Sequence, residues 1–439
     1  MTPAHRPRTD RSAEEPLDCS ADGPVGPPEG RHENDPTDGL PAEDEDVSRS
    51  SFLRGGVLAL GAGSIGAAGL AASLAAPPAD ARPRDRERPA RGGSTGVDPN
   101  PDYQRPRITR LATLTGPERT TRFRMDATDL GAPAVAPDGR ILMIFGDTFE
   151  EPKVGGGWWR SPVGLYADPD RPLEKGVEWT SAVGGRTAEQ LVEYEHDSDP
   201  VSTILPGDVL TIGDTMYLWM MVNHGFGTVG STEIWTSTDS GESWERTAEM
   251  FPGDHLEGRC QQCTWALHPT DGHVYLLTTG FQRDKEAILQ RVPAESILDP
   301  EAYETWGTTG EGEERTGSWG AEPTAAVDGQ VGEMCLRIVE DSWVLTWFNS
   351  GLYRVDVLIA DSPVGLTESP FGETLLWGCN WDQEDDERVA QLYGPYVLPG
   401  STLDDLHLAC SQWRTGPDWP YHVEQFRVEG LGAGMRSLA

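Results

Sequence analysis

Between residue 125 and the C-terminus the apolar residues come in short runs instead of at helical spacing. Residues 141–145, Ile-Leu-Met-Ile-Phe, form one such run of strand length. Pro137-Asp138-Gly139 precedes it, and this is turn chemistry: proline presets φ and glycine tolerates a positive one. Residues 129–135 lie on the other side of that turn, so residues 129–149 read as strand, tight turn, strand. The same unit returns four times, with turns centred on Asp214, Gly272, Ser342 and Asp404, spaced 58–75 residues apart. A third strand follows most of these hairpins, at 163–166, 233–237, 287–292, 354–360 and 421–428. In the second unit, residues 206–212 read as a linker within the hairpin. No extended amphipathic helical pattern appears after residue 100, so the globular part reads as all-β. Five such units with uneven insertions predict a five-bladed β-propeller; a two-sheet sandwich is the alternative.

The second unit ends in Ser237-Thr-Asp239-Ser-Gly241-Glu-Ser-Trp244. This has the Asp-box pattern Ser-x-Asp-x-Gly-x-x-Trp, similar to that of sialidases and many other propellers. Its expected role is structural. Asp239 satisfies backbone N–H groups of the turn, Gly241 supplies an unusual φ, and Trp244 packs inward.

The first hundred residues differ in kind. Residues 1–47 are rich in Pro, Gly, Asp and Glu and read as a disordered extension. Residues 48–81 carry Ser48-Arg49-Ser50-Ser51-Phe52-Leu53-Arg54, then an uncharged Gly/Ala-rich stretch, then Ala79-Asp80-Ala81. This resembles a twin-arginine export signal with cleavage near Ala81, although Ser50 stands in place of the second arginine. A transmembrane anchor is the alternative, disfavoured because Gly and Ala insert weakly. Residues 82–104 read as a linker, and 105–432 as the propeller. The expected location is therefore secreted or cell-envelope, without stable membrane association once the signal is removed.

Charge removes one class of function. The 439 residues carry 72 Asp+Glu against 35 Lys+Arg, a formal net charge of −37. Nucleic-acid binding needs a basic footprint, so it is excluded. Cys260, Cys263, Cys335, Cys379 and Cys410 follow the signal-like segment. Cys260 and Cys263 have CxxC spacing, but no second CxxC completes a zinc site. Buried thiols or one structural disulfide is preferred to a metal or redox role. No metal or cofactor is implied, and a monomer is expected.

The repeat also predicts what rims one mouth of the propeller. First strands start, and second strands end, on the same face. The starts contribute Asp129, Asp199, Gln262, Glu333 and Tyr393; the ends contribute Asp147, His224, Gln282, Asn349 and Trp413. An antiparallel hairpin folds its outer ends together, so Asp129 and Asp147 should be neighbours. Acids, amides and aromatic rings around one opening suit a carbohydrate site, and two neighbouring acids are the minimum for splitting a glycosidic bond. Asp129 and Asp147 are the candidate catalytic pair. Asp199 and Glu333 are candidates for a third acid or pKa modulator, and His224, Asn349, Tyr393 and Trp413 for substrate contacts. Each has a plain alternative as a turn or cap residue.

These stretches resemble a bacterial propeller family long catalogued as a domain of unknown function, some members of which are endo-acting D-arabinanases. The resemblance rests on Asp129-Leu-Gly-Ala-Pro133, Phe145-Gly-Asp-Thr-Phe149, Trp159-Arg-Ser161, the Asp-box, Gly332-Glu-Met-Cys-Leu336, Tyr353-Arg-Val-Asp-Val-Leu-Ile-Ala-Asp-Ser362, Tyr393-Gly-Pro-Tyr-Val-Leu-Pro399 and Ser411-Gln-Trp413. It implies a glycoside hydrolase with Asp129 and Asp147 as catalytic carboxylates, and it adds Trp159 and Arg160 to the substrate-binding set. The implied substrate is a furanose-containing polysaccharide, most of all α-D-arabinan. Two departures bear on substrate identity: Pro162 after Ser161, and the charged insertion Trp381-Asp-Gln-Glu-Asp-Asp-Glu387. A non-catalytic propeller binding glycan or protein at the cell surface is the rival reading. A sialidase is disfavoured, since that chemistry needs an arginine cluster and this rim is acidic.

Overall fold

Five sheets, antiparallel but for one parallel edge pair, form a ring in the computed structural model, which describes residues 103–437 apart from 226, 311–314 and 416–419. The extension (1–47), the export-like segment (48–81) and nearly all of the linker (82–104) lie outside the described residues. Among the described residues, no helix is long and apolar enough to cross a membrane.

The fold is the five-bladed β-propeller that the repeat predicts. Blade 1 opens with Ala127–Val135, Ile141–Phe149 and Val163–Ala167. Blades 2, 3 and 4 open with Thr203–Ile212, Gln262–Leu267 and Val331–Val339. Blade 5 opens with Leu392–Val397 and continues with Asp405–Trp413 and Tyr421–Glu429. Each opening strand packs against those of the two neighbouring blades, so five of them surround one axis. The apolar faces between blades make the core, where Trp219, Trp235 and Trp265 are all but fully buried.

Two features escaped the sequence pattern. Residues 206–212 are no linker: Thr203–Ile212 is one strand whose register shifts between Pro206 and Val209. A bulge accommodates a proline that has no N–H to give the ladder. The second feature is the closure of the ring. The outer strand of blade 5 is Arg107–Thr113, from the start of the described chain, paired antiparallel with Tyr421–Glu429. One blade is thus built from both ends of the domain.

The Asp-box is assembled as its residue types require. Asp239 Oδ1 accepts from Ser243 N at 2.9 Å, Gly241 adopts φ +90°, and the buried Trp244 donates Nε1–H to Gly241 O at 3.0 Å. Cys260, Cys263, Cys335 and Cys410 are buried free thiols, and Cys379 is a half-buried one, so the CxxC pair forms no disulfide.

Midway along the axis the blades are tied by one ion pair. Asp208, fully buried in the blade 2 bulge, accepts from Arg337 Nη2 at 2.7 Å and Nη1 at 2.8 Å. Thr264 of blade 3 also donates to Asp208, at 2.8 Å, and Arg337 Nη2 donates to Pro133 O of blade 1 at 3.0 Å. Four blades meet on these two side chains.

Candidate active site

Asp129 and Asp147 sit at the open end of the blade 1 hairpin, where pairing is irregular. Thr128 faces Thr148, but Leu130 faces Phe145, so Asp129 stands alone opposite Gly146 and Asp147. This is a β-bulge, a device that re-aims side chains beside functional sites. Leu130 takes a left-handed φ of +65°, costly for a branched residue, and its N–H is held by Ser411 Oγ of blade 5 at 2.7 Å. Gly146 is required here: a Cβ on it would lie 2.6 Å from Asp129 Oδ1.

Both acids keep partial exposure at the floor of the mouth while protein surrounds them closely. Burial, then the charge of Asp147, raises the Asp129 pKa to about 7, although Tyr421 and Tyr393 act to lower it. The Tyr393 hydroxyl donates to Asp129 Oδ2 at 2.8 Å. Burial raises the Asp147 pKa to about 6, opposed by hydrogen bonds from Trp159 Nε1 at 2.8 Å and Thr203 Oγ1 at 3.2 Å. The two carboxyls thus have different environments and different proton affinities, which is how a site separates an acid from a base.

Glu333 lies close enough for its charge to act on Asp129. It is 7% exposed and paired with Arg283, from Nε at 3.0 Å and Nη2 at 2.5 Å. Asp199 is exposed and is not among the groups that act on either acid; the acid that acts on Asp147 is Asp197, two residues earlier. The connection from blade 1 to blade 2 runs across the rim ahead of Thr203, so a prediction that counted back from the strand landed on the wrong aspartate.

The remaining candidates divide. Tyr393 is buried against Asp129, and Trp413 lies half-buried in an aromatic cluster with Phe149, Trp159 and Tyr421. Trp159 serves the site differently from the expectation. Phe149 and His196 cover its ring, with centroids 6.0 and 4.0 Å away, so it offers its N–H to Asp147 instead of a face to a sugar. His196 is itself neutral, since burial lowers its pKa to about 4. Arg160 is corrected outright. It is 1% exposed, and its guanidinium donates to the carbonyls of Ala188 and Arg124, so no cation is left for a substrate. Asn349 is likewise engaged within blade 4, donating to Asp356 Oδ2 at 3.0 Å and accepting from Leu352 N at 3.0 Å. His224 is an exposed turn residue that lies over Gly230. Tyr421 and Arg283 were missed. Tyr421 starts a third strand, and Arg283 follows Gln282 by one position, so both fell just outside the positions counted. No group of three or more His, Cys, Asp or Glu with metal-binding geometry occurs among the described residues.

The model of a domain of unknown function, DUF4185, matches residues 115–427. An uncharacterised 35.9 kDa protein of Mycolicibacterium smegmatis is 27% identical over 328 residues, covering 71% of this chain and 95% of that protein. Notoamide biosynthesis cluster protein J' of Aspergillus versicolor is 26% identical over 335 residues, covering 70% of this chain and 86% of that protein. Among solved structures, a candidate hydrolase from Bacteroides ovatus superposes with a TM-score of 0.53 at 13% identity, covering 73% of this chain and 90% of that one. That likeness is one of fold.

Proposed function

The chain belongs to the family of the domain of unknown function DUF4185, and from that premise we propose that it is a glycoside hydrolase in which Asp129 and Asp147 are the reacting acids. The single observation that carries the reading is the pair itself. Two carboxyls share one bulge at an accessible mouth, with pKa values of about 7 and about 6, and neither has a direct cationic partner among the described residues. Structural acids are neutralised by cations; acids held unneutralised at an opening are equipped for proton transfer.

Asp129, with the higher pKa, is the general acid that protonates the leaving oxygen. Asp147, with the lower, is the base that activates water or the nucleophile that attacks the sugar. Trp413, half-buried and packed edge-on against the buried Tyr421, is the aromatic side of the opening, suited to the apolar face of a sugar ring. The resemblance in sequence supports a furanose polymer, α-D-arabinan, cut endo, and the signal-like residues 48–81 support action outside the cytoplasm.

The test is incubation of the protein with mycobacterial arabinogalactan, followed by chromatography of released oligosaccharides. Release that disappears in both Asp129→Asn and Asp147→Asn is expected. Release unchanged in both variants ends the hydrolase reading and leaves the glycan-binding propeller in its place.

A further inference from the structure

Arg283 emerges from the loop after the second strand of blade 3, with its own backbone at φ +60°. Its side chain is 12% exposed, and three groups hold it in place. Glu333 of blade 4 accepts from it twice, and its guanidinium lies over the rings of Tyr393, at 4.9 Å, and Phe348, at 5.4 Å. The Tyr393 ring carries the hydroxyl that binds Asp129 Oδ2 at 2.8 Å. The contacts therefore run from Glu333 through Arg283 and Tyr393 to Asp129, one residue from each of four blades. A cation seated on a phenol ring restricts the ring and draws electron density from it, which strengthens its O–H as a donor.

We infer that Arg283, clamped by Glu333, is a positioning residue: it fixes Tyr393 against Asp129 and so sets the pH at which Asp129 gives up its proton. The consequence for catalysis rests on the reading of Asp129 as the general acid. Asp129 is faced by Asp147 from its own blade, Glu333 from blade 4, Arg283 from blade 3, and Tyr393 and Tyr421 from blade 5. Their signs differ. The Tyr393 and Tyr421 hydroxyls favour the carboxylate; the charges of Asp147 and Glu333 favour the protonated acid. Burial pulls the Arg283 pKa down, but the Glu333 charge prevails, so the guanidinium stays charged and that charge favours the Asp129 carboxylate.

The network therefore makes a prediction of opposite signs. Tyr393→Phe removes a donor, and Arg283→Met removes a cation and leaves Glu333 unpaired; both move the Asp129 midpoint up, by about one pH unit. Glu333→Gln, nearly isosteric, removes a like charge and frees the cation; it moves the midpoint down by about one unit. Arg283→Lys keeps charge without the fork or the stacking and falls between wild type and Arg283→Met.

The experiment is a titration of the full-length protein labelled with carboxyl-¹³C aspartate and followed by NMR, with the Asp129 signal assigned by its loss in Asp129→Asn. An upward shift in Arg283→Met like that in Tyr393→Phe, smaller in Arg283→Lys, with a downward shift in Glu333→Gln, supports the inference. Shifts of one sign in all variants, as a loosened mouth would give, overturn it, and so does a midpoint that does not move. The titration needs no turnover. If the opposite shifts appear and no sugar is released by the wild type, the inference stands and the hydrolase reading falls. If wild type hydrolyses arabinan while the midpoints stay fixed, the reverse holds.

Discussion

The axis of the propeller carries two layers of charged side chains, and they answer opposite needs. In the inner layer every oxygen of Asp208 has a donor, and Arg337 neutralises it while also bonding to carbonyls of Pro133 and Leu336. At the mouth, Asp129 and Asp147 stand opposite one another with tyrosine, tryptophan and threonine donors, and Arg283, whose charge reaches Asp129, is spent on Glu333. The residue type is the same. What differs is whether the surroundings complete the charge or leave it costly. The inner layer holds blades together, and the outer layer exchanges a proton near neutral pH.

The largest effect that separates the layers is on turnover. Asp129→Asn and Asp147→Asn each lower kcat on arabinan by ~10²–10⁴-fold, the usual worth of a general acid or base. Retention of activity within tenfold, measured by reducing-sugar release, would erase the distinction at the mouth.

Stability sets the layers apart by sign. Arg337→Met strands the Asp208 charge in the interior and costs about 3–5 kcal/mol in urea denaturation. Asp129→Asn does the reverse. The folded pKa of Asp129, about 7, lies above the ordinary carboxyl value, so its contribution to stability is full below about pH 4 and is lost as pH rises through 7. Asparagine escapes that loss, and the variant gains about 1–3 kcal/mol over wild type at pH 8, with no gain at pH 3. Equal signs for the two variants at pH 8 would mean that the mouth is as fully compensated as the interior.

The pH dependence of kcat/KM is a further discriminator. With Asp147 required ionised and Asp129 required protonated, the rate falls below about 6 and above about 7. The two limbs are coupled, since the charge of Asp147 raises Asp129. Asp208→Asn, in whatever fraction folds, keeps both limbs in place.

The smallest effect tests one hydrogen bond. Trp159→Phe removes the indole donor that favours ionised Asp147, and the acid limb moves up by less than about one unit. A movement downward would mean that Trp159 acts on Asp147 chiefly by excluding water.

The sequence conveyed the ring and its hairpins because both depend on local signals. Pro137-Asp138-Gly139 and the apolar run after it specify one turn and one strand whatever lies nearby. The neighbouring of Asp129 and Asp147 follows from that same hairpin. Arg160 and Asn349 misled because their residue types fit a sugar site, while their partners are carbonyls and an aspartate that only the folded chain brings near. Arg283 and Tyr421 were hidden for a related reason: their influence on Asp129 crosses from other blades, and no spacing within one repeat encodes it. Asp208 lay inside a stretch read as linker, because Pro206-Gly207 looks like a break and the bulge that absorbs it is a tertiary arrangement.

The strand Arg107–Thr113 that completes blade 5 also governs timing. Tyr393 and Tyr421, which act on Asp129, and Ser411, which holds the neighbouring Leu130 N–H, all belong to that last blade. Blade 1 leaves the ribosome early, yet its acid acquires these neighbours only after the last blade has been made and has docked against it. A chain interrupted anywhere before that point carries both aspartates on an open arc, without the tyrosines that tune one of them. If the hydrolase reading holds, onset of activity is thereby a readout of ring completion.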